Sequence, residues 1–309
     1  MATTITIALD WAANPNHAGL IVAQREGYFT REGVDVQVLP AEAERTPAEV
    51  IQAGGADLAF AFAGTVMEAR SAGVPLVSVA AVMHQHHSSL VALRSSGIAR
   101  PAHLQGKRYA SFGQRAIERA VIAGMMRADG VADPQFDLDV VRFASFDVLA
   151  NGEYDFMWIY DAIEGADAQS QGLDLVMLAP SDYGVPNYYA PILIAHADRL
   201  ADPELAEAAR RALRALRAGY ELAWREPDAV FSHFTTATLP EGSWALPSDA
   251  VTQQSFERLS RFAQADALPW GQQQLADWQE FGRFLWAAGT LGDDAEPDFA
   301  AYFTNDLLA

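Results

Sequence analysis

The chain is 309 residues long and half of it is hydrophobic, enough to bury a large core divided over two domains, so a disordered or fibrous protein is excluded. Its 40 acidic and 21 basic residues give a net charge of −19, which repels nucleic acid and anionic lipid. There is no cysteine, which removes disulfides, thiolate metal sites and cysteine nucleophiles, and Lys107 is the single lysine open to Schiff-base chemistry.

Residues 4–9 alternate threonine or alanine with Ile5, Ile7 and Leu9, the period-2 signature of a strand ending near Asp10. The turn DWAANPNH (10–17) is too polar for core and too aromatic for an ordinary loop. A helix follows from about Ala18 to Glu26, closed by Gly27, and GVDVQVL (33–39) alternates again as a second strand. In TPAE (46–49), Thr46 as N-cap, Pro47 at the first helical position and Glu49 as reciprocal cap start a helix that stops at Gly54-Gly55. ADLAFAF (56–62) reads as a buried strand, and VPLVSVAAV (74–82) and SLVALRS (89–95) continue the pattern.

It restarts after Pro101 with the strand KRYASF (107–112), a turn at Gly113 and a helix from about Arg115 to Asp129. LDVVRF (138–143), a short helix near Phe146–Ala150 and YDFMWIY (154–160) complete a second unit, followed by LDLVMLA (173–179) and APILIAH (190–196). Helices then dominate: one from Asp202-Pro203 to about Arg225, one over 248–264, and one over 271–288 closed by Gly289. Strands alternating with helices predict α/β sheets with crossover helices, in two units joined by passages near 90–94 and 191–195. Ligands of such sheets bind at the carboxyl ends of the strands, so a cleft is expected there. The sequence shows no internal repeat, and no window approaches the ~18 apolar residues of a membrane span. The opening MATTITIALD lacks a basic leader, so the expected location is cytoplasmic if Met1 is native, and extracytoplasmic (periplasmic or lipid-anchored at the cell surface) if an export signal has been removed.

Several side chains suit ring recognition. Asp10 and Trp11 end the first strand, where a tryptophan face can stack on a heteroaromatic ring and a carboxylate can accept from a ring amine; the alternative is a tryptophan packed under its own loop. Asn16 and His17 open the next helix, as a ligand contact or as a cap and a satisfied structural histidine. Phe156, Trp158 and Tyr160 share one strand face, where only the end nearest the cleft, Tyr160 with Asp161, is expected to bind rather than pack. The strand, glycine turn and helix start around Gly113 could hold a phosphate or carboxylate on backbone N–H groups, although no further nucleotide-binding glycines accompany it. His84, His86 and His87 form a cluster without an evident third metal ligand, and neither a metal nor a cofactor is expected.

The opening LDWAANPNHAGLIVAQREGYFTREGVDVQVL, with GGADLAFAF, GKRYASFGQRAIERA, YDFMWIYDAIEG, VPNYYAPILIA, WGQQQLADWQEFGRFL and FTNDLL in order along the chain, resembles the periplasmic solute-binding proteins of the thiamine-pyrimidine group, which includes the yeast-type pyrimidine synthases. The resemblance implies a two-lobed type II periplasmic-binding-protein fold with a double crossover and a helical C-terminal tail, lobe 1 formed by 1–91 and 193–309 and lobe 2 by 92–192. It implies a non-enzymatic component of an ABC importer, partnered by a permease and capturing a small heteroaromatic ligand, a formylaminopyrimidine-like thiamine precursor or, alternatively, riboflavin. Family position adds Glu118, as acceptor for an aminopyrimidine, and the pair Tyr188 and Tyr189. The expected contacts are therefore Asp10, Trp11, Asn16, His17, Phe62, Gly113, Glu118, Trp158, Tyr160, Asp161, Tyr188 and Tyr189. Where pyrimidine binders carry a Tyr-Gln-Glu-like segment this chain reads Phe62-Ala63-Gly64. Against the synthase branch, Ala61 stands at the position of the cofactor lysine and Thr65 at that of the donor histidine, and Lys107 lies on another segment. A cytoplasmic ligand sensor or chaperone of the same fold is the third possibility.

Overall fold

The computed structural model describes residues 3–42, 44–141, 144–235, 246–264, 268–292 and 295–309. Four strands come first: β1 (Thr3–Ala8), β2 (Val34–Leu39), β3 (Leu58–Ala61) and β4 (Leu76–Ala81). Helices α1 (Ala18–Arg25), α2 (Pro47–Gln52) and α3 (Ala63–Ser71) lie between them. The threonine-isoleucine alternation of β1 buries Ile5 and Ile7 completely while Thr4 stays exposed, each isoleucine worth ~1.5–3 kcal/mol of burial. The cap of α2 forms as its sequence predicts: Glu49 N–H donates to Thr46 Oγ1 at 3.3 Å, and Thr46 N–H to the Glu49 carboxylate at 2.7 Å.

The chain then builds β5 (Ser88–Leu93), β6 (Arg108–Ser111), α4 (Arg115–Ala128), β7 (Asp137–Val140), β8 (Phe156–Tyr160), α5 (Glu164–Ser170) and β9 (Leu175–Leu178), and returns through β10 (Ile192–His196). Three long helices follow: α6 (Pro203–Arg225), α7 (Asp249–Gln264) and α8 (Leu275–Ala287). Of the expected strand 138–143, residues 142 and 143 lie outside the described residues. The helix expected over 271–288 begins only at Leu275. Before it, Gly271 exchanges two backbone hydrogen bonds with Ala81, of 3.0 and 3.1 Å, at a φ of 88° that favours glycine, so this stretch extends the sheet. Helix α3 is not foreseeable from its sequence, because AGTVMEARS carries almost no apolar periodicity.

The described residues form two five-stranded sheets, ordered β2-β1-β3-β10-β4 and β7-β6-β8-β5-β9. In each, the fourth strand alone runs antiparallel: β10 against β3 and β4, and β5 against β8 and β9. The two orders are therefore one topology used twice, which the sequence does not betray by any repeat. Contacts divide the chain into two compact units, Met1–His86 with Tyr188–Trp278 and Asp298–Ala309, and His87–Asn187 with Gln279–Pro297. The sequence boundary at 91/92 splits β5, whereas all of β5 belongs to the second sheet.

In the first unit α1 seats directly on α6. A Cβ on Gly219 would come 2.1 Å from the Gly19 carbonyl oxygen, and one on Gly19 would come 2.1 Å from the Tyr220 ring. In the second unit, Val91, Ala110, Phe146, Leu149, Met157, Ile159 and Ala168 form one core cluster, and the rings of Tyr109, Phe136 and Phe156 pack against one another.

Candidate ligand-binding site

In the first unit, the strand ends and the start of the antiparallel β10 bring the expected residues to the carboxyl edge of the sheet. Asn14 caps the single turn Pro15–His17 by accepting from Asn16 N–H at 2.9 Å, so the cap belongs to Asn14 rather than to Asn16. That turn buries His17 to 1% exposure and aims its ring back at the end of β1. The Asn14 N–H donates to His17 Nδ1 at 3.2 Å, which assigns the ring proton to Nε2, and Nε2–H donates to Asp10 Oδ1 at 2.8 Å. Both ring nitrogens are thus engaged within the chain, and the ring edge packs on Phe60 at 4.7 Å. His17 orients Asp10 rather than presenting a nitrogen outward.

Asp10 and Trp11 are partly exposed beside it. Asn16 is buried, its carbonyl accepts from the Tyr220 hydroxyl at 2.7 Å, and its Oδ1 has no partner among the described residues. Burial, and after it the negative charge of Asp10, pushes the Tyr220 phenol well above its usual range. Phe62 ends β3 with its N–H donating to Thr65 Oγ1 at 3.4 Å. Tyr188 stacks on His86 with ring centres 4.5 Å apart and planes 8° from parallel. Tyr189 is 1% exposed, donates its hydroxyl to Asp277 and accepts from Gln274 N–H, so it braces the start of α8 and offers little surface. A groove beside Thr3, Val34, Pro203 and Arg211 lies at the other end of the sheet and holds none of these residues.

In the second unit the corresponding edge carries Gly113, Tyr160 and Asp161. Phe112 packs edge-on against Trp158 at 5.9 Å, and His87 tilts over Tyr160 at 4.7 Å. Within the aromatic stripe of β8, Phe156 is buried, whereas Trp158 and Tyr160 keep partial exposure. Asp161 accepts from Ser89 Oγ at 3.1 Å. Glu164 accepts from the Tyr160 N–H at 2.9 Å, and its carboxyl is pushed up to about 7, chiefly by burial, with Asp167 and Asp161 adding repulsion.

Glu118 is fully buried, and its two oxygens take four donors: Tyr109 hydroxyl at 2.5 Å, Ser111 Oγ at 2.9 Å, and the N–H groups of Phe112 and Gly113, each at 3.2 Å. Its pKa is raised on balance by burial, against the hydrogen bonds from Tyr109, Ser111 and the backbone of Phe112 and Gln114, which pull it down. The family-derived role of Glu118 as acceptor for a ligand amine therefore meets a carboxylate already filled from within. The same bonds explain Gly113, whose φ of 120° turns its N–H onto that carboxylate.

Phe112, His87, Ser89 and Glu164 were not singled out as contacts by the sequence. Phe112 adjoins Gly113, a signal that was available; Glu164 looks like any acidic residue in a first helical turn. The three clustered histidines have separate tasks, His84 bonding the Gln272 carbonyl at 2.9 Å while His86 and His87 pack on tyrosines. Among the described residues no group of three or more His, Asp or Glu is placed to hold a metal. The two edges offer carboxylate acceptors beside aromatic faces, which suits recognition of a ring bearing N–H donors.

The architecture is that of the two-lobed periplasmic binding proteins. The alkanesulfonate-binding protein SsuA of Xanthomonas axonopodis pv. citri, bound to MOPS, superposes with a TM-score of 0.73 at 15% identity over 98% of both chains. The chain belongs to the NMT1/THI5-like family, whose description matches residues 14–230. The formylaminopyrimidine-binding protein of Halalkalibacterium halodurans is 28% identical over 278 residues, 90% of this chain and 83% of that one, which supports a solute-binding role. A Haemophilus influenzae protein whose name assigns it to thiamine biosynthesis is 27% identical over 201 residues; the match covers 64% of this chain and 63% of that protein. The 4-amino-5-hydroxymethyl-2-methylpyrimidine phosphate synthase of Aspergillus parasiticus is 24% identical over 99% of this chain and 87% of its own.

Proposed function

We propose that this protein is the substrate-binding component of an ABC importer, working outside the cytoplasm and capturing a formylaminopyrimidine-like thiamine precursor without transforming it. The observation that carries the reading is the Asp10 carboxylate held by His17 Nε2–H beside the partly exposed Trp11. A charged acceptor next to an indole face matches a flat ring with an exocyclic amine, and the likeness to a formylaminopyrimidine-binding protein over 90% of the chain points to the same ligand class. On the second sheet Trp158, Tyr160 and Asp161 form the corresponding set.

Calorimetric titration with formylaminopyrimidine, hydroxymethylpyrimidine, thiamine and riboflavin tests this. The expected result is binding of the aminopyrimidines and its loss on Asp10→Asn; binding of riboflavin alone moves the ligand class, and binding of none overturns the reading. The synthase reading draws on the likeness to the Aspergillus enzyme. It is opposed by Ala61, buried in β3, at the place of the cofactor lysine, and by Thr65, whose hydroxyl is tied to Phe62. An assay for pyrimidine phosphate formation separates the two.

A further inference from the structure

Asp10, just beyond β1, is a carboxylate with one oxygen in use. His17 Nε2–H donates to its Oδ1 at 2.8 Å, and no donor among the described residues reaches Oδ2. The imidazole that meets it carries a single ring proton, because Nδ1 accepts from the Asn14 N–H. His17 therefore orients Asp10 without balancing its charge. No arginine or lysine does so either: among the described residues the ion-pair partner of Asp10 is His17 alone. The other ionisable group facing Asp10 is Tyr220 on α6, a buried phenol whose hydroxyl is given to the Asn16 carbonyl.

The Asp10 side chain is 11% exposed, so the charge sits largely out of water with no cation beside it. Such a charge is costly to hold and acts strongly on whatever approaches. Its reach is visible at Tyr220, whose phenol is raised first by burial and then by Asp10. Trp11, next in the chain, is partly exposed, and an indole face attracts a cation as well as stacking on a ring. A carboxylate without a counter-ion beside an indole is matched best by a flat cation. A neutral aminopyrimidine offers Asp10 only the dipole of its amine, whereas the same ring protonated on nitrogen brings a full charge and a charge-assisted hydrogen bond.

Building on the pyrimidine-binding reading, we propose that Asp10 and Trp11 make the site selective for the cationic, ring-protonated form of the aminopyrimidine. The proton comes from solvent, resides on a ring nitrogen of the bound ligand, and returns to solvent when the ligand leaves. No other bond of ligand or protein is made or broken, and Asp10 and His17 keep their protonation. Every residue invoked lies in the first unit.

Calorimetric titration with hydroxymethylpyrimidine from about pH 5 to 8, in buffers of different ionisation enthalpy, counts the protons taken up on binding. For the unmodified protein the count should approach one per ligand above the pKa of the free ring, with affinity falling by up to about tenfold per pH unit there. The ring-N-methylated pyrimidinium, charged at every pH, should bind with no uptake and a flat profile. In Asp10→Asn the binding that remains should take up no proton. Binding of hydroxymethylpyrimidine without proton uptake overturns the proposal and leaves the proposed function standing, as does uptake that persists in Asp10→Asn. A pH slope shared by the N-methylated cation places the proton on the protein and overturns it too. If Asp10→Asn does not fold, the proton count of the unmodified protein with the two ligands decides. If no aminopyrimidine binds at any pH, the proposed function fails and this inference falls with it.

Discussion

The first strand-to-helix turn of each sheet is built on the same spacing with opposite chemistry. After β1, His17 reaches back seven residues to Asp10; after β6, Glu118 reaches back seven residues to Ser111. In the first unit a buried base orients an acid that stays partly exposed; in the second a buried acid binds its own backbone. One turn therefore keeps a partly exposed carboxylate, and the other is closed. The difference shows that a shared topology fixes where a side chain returns to the strand end, whereas its charge decides whether that end remains open.

The largest effect should come from removing the closed turn. Glu118→Ala removes the carboxylate that accepts from the buried Tyr109 and Ser111 hydroxyls and from the Phe112 N–H, and is expected to destabilise the chain by roughly 3 kcal/mol or more in denaturant unfolding, against about 1–2 kcal/mol for His17→Ala, which takes the acceptor from the single Asn14 N–H. Equal losses would mean that the two turns are not differently loaded.

The helices behind the turns should differ next. Gly219→Ala drives a methyl into the Gly19 carbonyl, backbone against backbone, and should cost about 2–3 kcal/mol. Gly124→Ala in α4 meets only the tip of the Phe284 ring, at 2.7 Å, and should cost about 1 kcal/mol. Binding then tests the open turn: Asp10→Asn should weaken aminopyrimidine binding by roughly 1.5–3 kcal/mol and Trp11→Ala by about 0.5–1.5 kcal/mol beyond lost area, both read by calorimetry. Unchanged affinity in both would move the ligand contact elsewhere.

Acidity gives the smallest and most discriminating effect. Glu164 keeps its proton up to about 7 when folded against an ordinary 4.5, so between those values the folded chain holds a proton the unfolded chain has released, and stability falls as pH rises. His86 is pushed by burial down to about 4 from 6.5, so across that window the unfolded chain takes up a proton the folded chain refuses, and stability falls as pH drops. Glu164→Gln should remove the first slope and His86→Phe, which retains the stack on Tyr188, the second, each by on the order of 1 kcal/mol. Unfolding measured from pH 4 to 8 tells whether the two units carry these opposite dependences.

Much of the fold could be read in advance because its signals are local. The alternation of β1, the Thr46–Glu49 box and the Asp202-Pro203 start of α6 are decided within a few residues. The insertion of β10 between β3 and β4 is not, since the pairing of Leu193 with Phe60 depends on everything folded in between. The site divides similarly. Asp10 and Trp11 could be picked out because a polar-aromatic pair ending a strand is unusual. Glu118 enters only through the family resemblance and its role as an internal lock is not legible, because a helix glutamate in solvent and one locked under a turn look alike until Tyr109 and Ser111, on one face of β6, are seen to point at it.

The antiparallel fourth strands carry a consequence for how the protein is made on the ribosome. β5 precedes the strands it joins, so all five strands of the second sheet emerge in one uninterrupted stretch and can close before the chain is finished. β3 and β4 emerge early, but the edges they turn toward β10 find no partner until β10 is synthesised, after that entire second sheet. The sheet begun first is thus completed last, and its two unpaired inner edges are the segment of the nascent chain that most needs protection.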